Sequence, residues 1–187
     1  MPGKAPSRSP KASAPAPWLS IPIPALTRKT PTTSSRSRQA WRFLLAGGGA
    51  FNNLDYSFTV GHEDGTGTNV APGSGSAALR KQLGVLKRFV ESGPLLRLQP
   101  DYSTVVHASD AYTQALSTPD RGTVLVYIEG KGPTSVILDL PAGRYSAEWV
   151  DPVGGNVVKR ESFAAPGGRL TIATPAYAED IALRLNR

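Results

Sequence analysis

The feature that most constrains the fold is the regular alternation of short strand-like runs and turn residues that begins near residue 102 and continues to the end of the chain. Eight runs rich in Val, Leu, Ile, Thr and Tyr are separated by turns containing Pro, Gly or Asp. Such spacing is typical of an antiparallel β-sandwich. The runs are residues 104–108, 112–116, 123–128, 135–140, 145–150, 156–160, 169–173 and 180–185.

In four of these runs, 135–140, 145–150, 169–173 and 180–185, alternate residues are apolar, which predicts the face that each strand turns toward the core. Trp149 alternates in phase with Tyr145 and Ala147. This phase favours a core position over an exposed ring that stacks on a sugar. The other predicted core residues are Val136, Leu138, Leu140, Leu170, Ile172, Ile181, Leu183 and Leu185.

The preceding segment, residues 38–100, has a mixed pattern. Residues 39–46 show helical spacing that Gly47–Gly49 ends, and residues 77–92 form an amphipathic helix with Ser76 as N-cap. Between the two helices, Leu54, Tyr56, Phe58 and Val60 alternate with polar residues, which predicts a strand over residues 51–60.

Residues 1–37 are rich in Pro, Ser, Ala, Thr, Arg and Lys, and this composition predicts a disordered basic tail. Eight of the 21 cations precede the first acid, Asp55, whereas the other 13 cations are matched by all 14 acids. The net charge of +7 is therefore assigned to the N-terminal part, and a nucleic-acid interface is not expected. The chain has no cysteine and no apolar run long enough to span a membrane, so no membrane partner and no thiolate chemistry are expected.

The densest polar segment is residues 47–65, which the sequence predicts to be the rim of a polar binding site. The candidate substrate-binding residues are Asn53, Asp55, Tyr56, His62, Glu63 and Asp64. Three interpretations of residues 62–64 stay open: a sugar-contact loop, a metal cluster, or ordinary loop polarity. Residues 64–69 alternate oxygen-bearing side chains as a calcium loop does, but their charge density is low. Neither a metal nor another cofactor is predicted.

Two segments carry a resemblance to known families. Residues 39–65, QAWRFLLAGGGAFNNLDYSFTVGHEDG, resemble the last helix–strand unit of the (β/α)8 barrel in bacterial glycoside-hydrolase-like proteins, akin to apiosidase-like catalytic domains. Residues 123–151, TVLVYIEGKG…LPAGRYSAEWVDP, and the closing AEDIAL at 178–183 resemble the β-sandwich appended to such barrels, which is classified as a collagen-binding domain of a collagenase.

Composition, strand spacing and the resemblance together imply a mainly β chain in three parts: a disordered tail at 1–37, an incomplete (β/α)8-barrel remnant at 38–100, and a β-sandwich accessory domain at 101–187. If residues 54–60 are the eighth barrel strand, residues 61–75 form a βα loop at the active-site end. A barrel needs about 250 residues, and glycoside hydrolysis generally needs a pair of carboxyl groups. We therefore predict no catalytic residue in this chain, which alone is expected to be inactive.

The resulting hypothesis is the C-terminal part of a glycoside-hydrolase-like protein, bearing a non-catalytic module that packs on a barrel and assists polysaccharide binding. The expected partners are polysaccharide and the missing barrel strands of the parent protein. The alternatives are a collagen-type protein-binding module and a purely structural spacer. Whether the chain is a truncated gene product or a genuine short protein stays open. The family implies a secreted or periplasmic parent, but the sequence shows no clear signal peptide.

Overall fold

The structure is a computed structural model that describes residues 32–68 and 75–187. It is mainly β, as the sequence predicts, with two helices ahead of the strands. The helices are α1 (Thr33–Leu45) and α2 (Ala77–Glu91), followed by a 3-10 turn at Leu95–Arg97. The strands are β1 (Gln99–Pro100), β2 (Val105–Ala108), β3 (Ala111–Ser117), β4 (Thr123–Gly130), β5 (Ser135–Leu140), β6 (Gly143–Val150), β7 (Val157–Ala165), β8 (Gly168–Ala173) and β9 (Asp180–Asn186).

The strands form two antiparallel sheets. One sheet has six strands in the order β1-β3-β4-β9-β6-β7, and the other has three in the order β2-β5-β8. All eight predicted strands are present, and the short β1 pairs with β3 as an additional edge strand. The predicted antiparallel β-sandwich is therefore confirmed.

The core between the sheets contains the residues that the alternation predicts. Val136, Leu138 and Leu140 of β5 face Tyr145, Ala147 and Trp149 of β6 within one buried cluster. Trp149 is completely buried, and its indole Nε1 donates a hydrogen bond of 2.8 Å to Glu161 Oε1 at the edge of the sheet. The predicted core role of Trp149 is confirmed, and its one polar atom has a partner.

The outer face of the six-stranded sheet is covered by α1 and α2. Trp41 of α1 stacks on Tyr127 of β4 with ring centroids 5.3 Å apart, and Phe89 of α2 packs beside Trp41 at 5.1 Å. Because β4 is covered on both faces, residues 124–128 are all fully buried. This double cover explains why that strand has the sequence VLVYI instead of alternating with polar residues.

Helix α1 begins six residues earlier than residue 39, where the sequence predicts it. Thr32 is its N-cap, and the Thr32 side-chain oxygen accepts a hydrogen bond from the Ser35 backbone N–H at 3.1 Å. The predicted disordered tail at 1–37 is therefore too long by the residues that enter α1, while residues 1–31 lie outside the described part. Arg38 and Arg42 contact Glu129 at 3.2 and 2.6 Å, so some of the cations assigned to the tail belong to the folded unit.

The end of α1 and the start of α2 agree with the sequence. Gly47 has φ +93°, and a Cβ at this position would lie 2.4 Å from Pro100 Cγ. Only glycine fits a backbone that turns this sharply against Pro100. Ser76 caps α2, its side chain accepting from the Leu79 backbone N–H at 3.1 Å.

The predicted strand over residues 51–60 is wrong. This segment has no strand, and its only ladder element is an isolated bridge between Thr59 and His62. A strand needs a neighbouring strand to take its backbone hydrogen bonds, and no described segment lies beside this one in that way. The segment instead forms a loop held by side chains.

Asp101 connects the start of the sandwich to β3 and to the loop that follows β3. Its carboxylate accepts hydrogen bonds from the side chains of Thr104 (2.6 Å) and Ser117 (2.7 Å), and from two backbone N–H groups. The guanidinium of Arg121 lies 3.3 Å away. Burial raises the pKa of Asp101, but these hydrogen bonds outweigh burial and hold the pKa well below its usual value.

Candidate functional site

The polar loop at residues 51–68 is fixed to α2 by Arg80. Arg80 Nη1 donates to Asp55 Oδ2 at 2.6 Å and to Ser57 Oγ at 2.8 Å, and Nη2 donates to the Gly65 carbonyl at 2.9 Å. Asp55 also accepts from the backbone N–H of Ser57 at 3.0 Å. One guanidinium thus holds both ends of the loop, using the fork of donors that arginine provides.

Gly65 makes this arrangement sterically possible. It has φ +76°, and a Cβ there would lie 2.7 Å from both Arg80 Nη2 and Phe58 Cζ. The guanidinium carbon of Arg80 also lies 4.8 Å from the centre of the Phe58 ring. A larger residue at position 65 would push Arg80 away from the loop.

Arg80 and Ser57, which together we call the clamp, keep Asp55 ionised. Burial raises the pKa of Asp55, but hydrogen bonds from Ser57 and Arg80 outweigh it and lower the pKa below its ordinary value. A general acid needs a proton near neutral pH, and so Asp55 is suited to holding the loop and unsuited to donating a proton.

The six predicted site residues do not converge on one cavity. Asn53 and Asp55 are half-buried on the inner side of the loop, whereas Tyr56 and residues 62–64 are exposed. His62 and Asp64 are linked through Thr66: His62 Nδ1 lies 3.2 Å and Asp64 Oδ1 lies 2.7 Å from Thr66 Oγ1. Their role as a substrate-binding rim stays a prediction.

Glu63 and Asp64 make the hydrogen bonds of a tight turn. Glu63 Oε1 accepts from the Gly61 backbone N–H at 2.9 Å, and Asp64 Oδ1 accepts from the Thr66 backbone N–H at 3.0 Å. The pKa of Glu63 is lowered by the backbone N–H of Gly61, and that of Asp64 by the Thr66 hydroxyl. Both are exposed carboxylates whose hydrogen bonds stabilise the turn.

Within the described residues, no three His, Cys, Asp or Glu side chains form a group that could hold a metal ion. The calcium-like pattern extends to Asn69, which lies outside the described residues. In the same described ranges, no helix is long and apolar enough to cross a membrane.

Four large side chains of the loop are exposed to solvent to a large extent, whereas Asp55 and Ser57, which alternate with them in sequence, are bound to Arg80. The four side chains form what we call the apolar ridge: Leu54 (64% exposed), Tyr56 (42%), Phe58 (50%) and Val60 (99%). Of the polar residues in the predicted alternation, Asp55 and Ser57 face the protein, whereas Thr59 is exposed. Exposed apolar side chains grouped in this way are typical of a surface that contacts another apolar surface.

A groove of about 470 Å³ lies along α2, and no residue of the ridge lines it. Leu83, Leu86 and Val90 of α2 form one wall, Leu44 of α1 and Phe51 form another, and Leu95, Leu98 and Pro100 close the end. Leu96, in the adjacent 3-10 turn, is fully exposed.

A second polar cluster lies between α1 and the ends of β4 and β9. The Tyr127 hydroxyl donates to Asp180 Oδ2 at 2.8 Å, and Arg38 contacts both Glu129 and Glu179. Burial raises the pKa of Asp180 to about 6, against the hydrogen bond from Tyr127, and the nearby Glu129 adds to the rise. This cluster holds α1 on the sheet.

The sequence does not reveal Arg80 as a loop-binding residue. It occupies the polar face of an amphipathic helix, where a cation normally contacts solvent. Its partner Asp55 lies 25 residues away. The one available signal was that Asp55 is the first acid in the chain and has no cation nearby in sequence.

No protein-family model and no curated protein sequence matches the chain. Among solved structures, it is similar to one titled "Glycoside hydrolase", at 17% sequence identity and a TM-score of 0.45. The similarity covers 64% of this chain and 29% of that one, so the chain spans less than a third of its structural neighbour. The expected apiosidase-like barrel segment and collagen-binding domain both remain predictions.

Proposed function

We propose that this chain is a non-catalytic accessory module of a glycoside-hydrolase-like protein, which packs on a (β/α)8 barrel and assists polysaccharide binding. The observation that carries the proposal is the apolar ridge. Four large side chains are held outward by a clamp whose polar groups are satisfied within the chain. A surface built in this way fits a partner that supplies apolar contacts.

The sequence resemblance favours a barrel as that partner. The ridge lies in the segment that resembles the last helix–strand unit of a barrel, and a barrel strand buries alternate residues against its neighbours. In this proposal, residues 38–100 complete a barrel and residues 101–187 form the appended sandwich. Residues 54–60 would then form a strand only when they pair with the neighbouring strands of that barrel.

The state of the loop carboxylates supports a non-catalytic role. Asp55, Glu63 and Asp64 all have a lowered pKa, whereas the acid of a glycosidase needs a raised one. We expect the purified chain to leave a panel of aryl glycosides unhydrolysed. Hydrolysis that disappears in Glu63→Gln or Asp64→Asn would contradict this assignment.

The docking step is tested with an apiosidase-like barrel that lacks its eighth unit. The wild-type chain should form a one-to-one complex with this barrel, measured by size-exclusion chromatography with light scattering. Tyr56→Ser/Phe58→Ser should weaken the complex strongly. Val153→Ser/Val158→Ser is the matched control, because these side chains are about half exposed on the sandwich. Equal complex formation by the two double variants would refute docking through the ridge.

The polysaccharide role is tested by pull-down on insoluble plant polysaccharide and, in parallel, on fibrillar collagen. Retention on polysaccharide alone supports the proposal. Retention on collagen alone would instead identify a protein-binding module. Retention on neither would leave the sandwich as a structural spacer.

A further inference from the structure

The outward face of β6, β7 and β9 carries two rows of polar side chains. Glu148 of β6 lies directly opposite Arg160 of β7 on one side and Arg184 of β9 on the other. Two residues along the strand, Ser146 lies opposite Ser162 and Asn186 in the same manner. These rows line a groove of about 400 Å³ that Ser92, at the end of α2, closes on one side.

Glu148 orients the two arginines. Its Oε1 accepts from Arg160 Nε at 2.9 Å, and its Oε2 accepts from Arg184 Nε at 3.0 Å. The hydrogen bond from Arg160 is the main reason that the pKa of Glu148 is lowered, with Arg184 contributing. Glu148 is thus a fixed anion between two cations, and the trio carries a net charge of +1.

Donors remain free at the groove. The side chain of Arg160 is 69% exposed, and its Nη atoms make no hydrogen bond to any of the described residues. Arg184 is only 19% exposed and is supported by the Phe89 ring at 6.0 Å, so it is held more firmly. The hydroxyls of Ser146 and Ser162 lie beside these cations. Glu161, at the groove wall, is already paired with Lys159 at 2.8 Å.

The lining residues define the class of ligand. Nine residues line the groove. None of these nine is aromatic, so the groove has no ring on which a neutral sugar could stack. A guanidinium with free N–H groups binds a carboxylate with two parallel hydrogen bonds, and serine hydroxyls complement sugar hydroxyls.

We propose that this groove binds an acidic polysaccharide through the carboxylate of a uronic acid residue, with Arg160 as the main contact. The choice of polysaccharide over another polyanion rests on the proposed function. The location does not, because the groove lies on the sandwich sheet and includes no ridge residue.

The test measures binding of polygalacturonate oligomers to the full chain by isothermal titration calorimetry, with the methyl-esterified oligomers as the uncharged counterpart. The acid should bind, the ester should bind at least about tenfold more weakly, and added salt should weaken binding of the acid. Arg160→Ala should reduce affinity for the acid by about tenfold or more, and Arg160→Lys by less. Arg169→Ala, an exposed arginine on β8, is the matched control and should have no effect.

Several outcomes would overturn the inference: absence of binding to the acid, equal binding of acid and ester, or an equal loss in Arg160→Ala and Arg169→Ala. Binding of polyglutamate as tight as that of polygalacturonate would identify a general anion site instead of a sugar site. Failure here is distinguishable from failure of the proposed function. Arg160→Ala should leave association with the barrel unchanged, and Tyr56→Ser/Phe58→Ser should leave polygalacturonate binding unchanged.

Discussion

Arg80 and Asp55 form an ion pair of 2.6 Å that joins the first turns of α2 to a loop 25 residues earlier in the chain. The pair is partly shielded, with side-chain exposures of 35% and 18%. It fixes the loop in a shape that turns the apolar ridge toward solvent.

Removing this pair should release the loop without unfolding the sandwich. We expect Arg80→Ala to accelerate amide hydrogen exchange at residues 57–67 and to lower the free energy of unfolding by about 1–2 kcal/mol, because a charged hydrogen-bond donor is lost from a partly shielded site. Lys81→Ala, one residue along the same helix and exposed, is the control. Unchanged exchange at 57–67 in Arg80→Ala would show that the loop is held by other contacts.

The contrast between the sandwich and the loop shows which parts of a fold a sequence can predict. The strands at 123–128 and 145–150 were predictable because burial on a sheet imposes a local apolar pattern. The segment at 51–60 has the same pattern without the sheet, and there the alternation was misleading. An alternating polar and apolar pattern defines two faces of a segment, but which face is buried depends on the element that packs against it. Here Arg80 draws the polar face inward, and that contact is distant in sequence.

The helix boundaries show the same limit on a smaller scale. Ser76 was recognisable as a cap because an amphipathic helix follows it. Thr32 was not, because the turn that it caps, TSSRS, is polar and resembles the preceding tail. The position of that turn depends on Arg38 and Arg42, which reach Glu129 on β4.

Trp149→Ala should strongly destabilise the sandwich. The side chain is completely buried between the sheets, and truncation of a buried tryptophan typically costs about 3–5 kcal/mol. This is a large part of the roughly 5–15 kcal/mol that stabilises a small domain. Trp149→Phe keeps most of the packing but leaves Glu161 without its indole donor, so its effect should be smaller. An unchanged melting temperature for Trp149→Ala would remove this residue from the core.

Asp101 should make the protein sensitive to acid. Its folded-state pKa lies below the ordinary value of 3.8, so its ionised form contributes stability that is present above pH 3.8 and is lost as pH falls below it. At neutral pH, we expect Asp101→Asn to lower the free energy of unfolding by about 1.5–3 kcal/mol, since charged hydrogen bonds to Thr104 and Ser117 are lost. Denaturant melts at pH 7 and pH 3 provide the measurement. The difference between wild type and variant should shrink at pH 3, and a constant difference would contradict the assignment.

Asp180 should have the opposite dependence on pH. Its folded-state pKa of about 6 lies above the ordinary 3.8, so the protonated form is favoured in the folded protein. The stability that this group contributes is complete below pH 3.8 and is lost as pH rises through about 6. The groups around it are Tyr127 and Glu129 of β4, Arg38 of α1, and the neighbouring Glu179. Of these, only Arg38 favours the ionised carboxylate by its charge.

Asp180→Asn separates this group from the other carboxylates. Asparagine keeps an oxygen that can accept from the Tyr127 hydroxyl but cannot ionise, so the variant should gain stability relative to wild type as pH rises from 4 to 7. The gain should approach roughly 3 kcal/mol at most, because a tenfold change in a proton-binding constant corresponds to about 1.4 kcal/mol. Asp110→Asn, at an exposed turn, should show no such trend. If Asp180→Asn instead loses stability at pH 7 and matches wild type at pH 4, then Asp180 acts as a charged partner of Arg38, and its pKa is lowered by the fold.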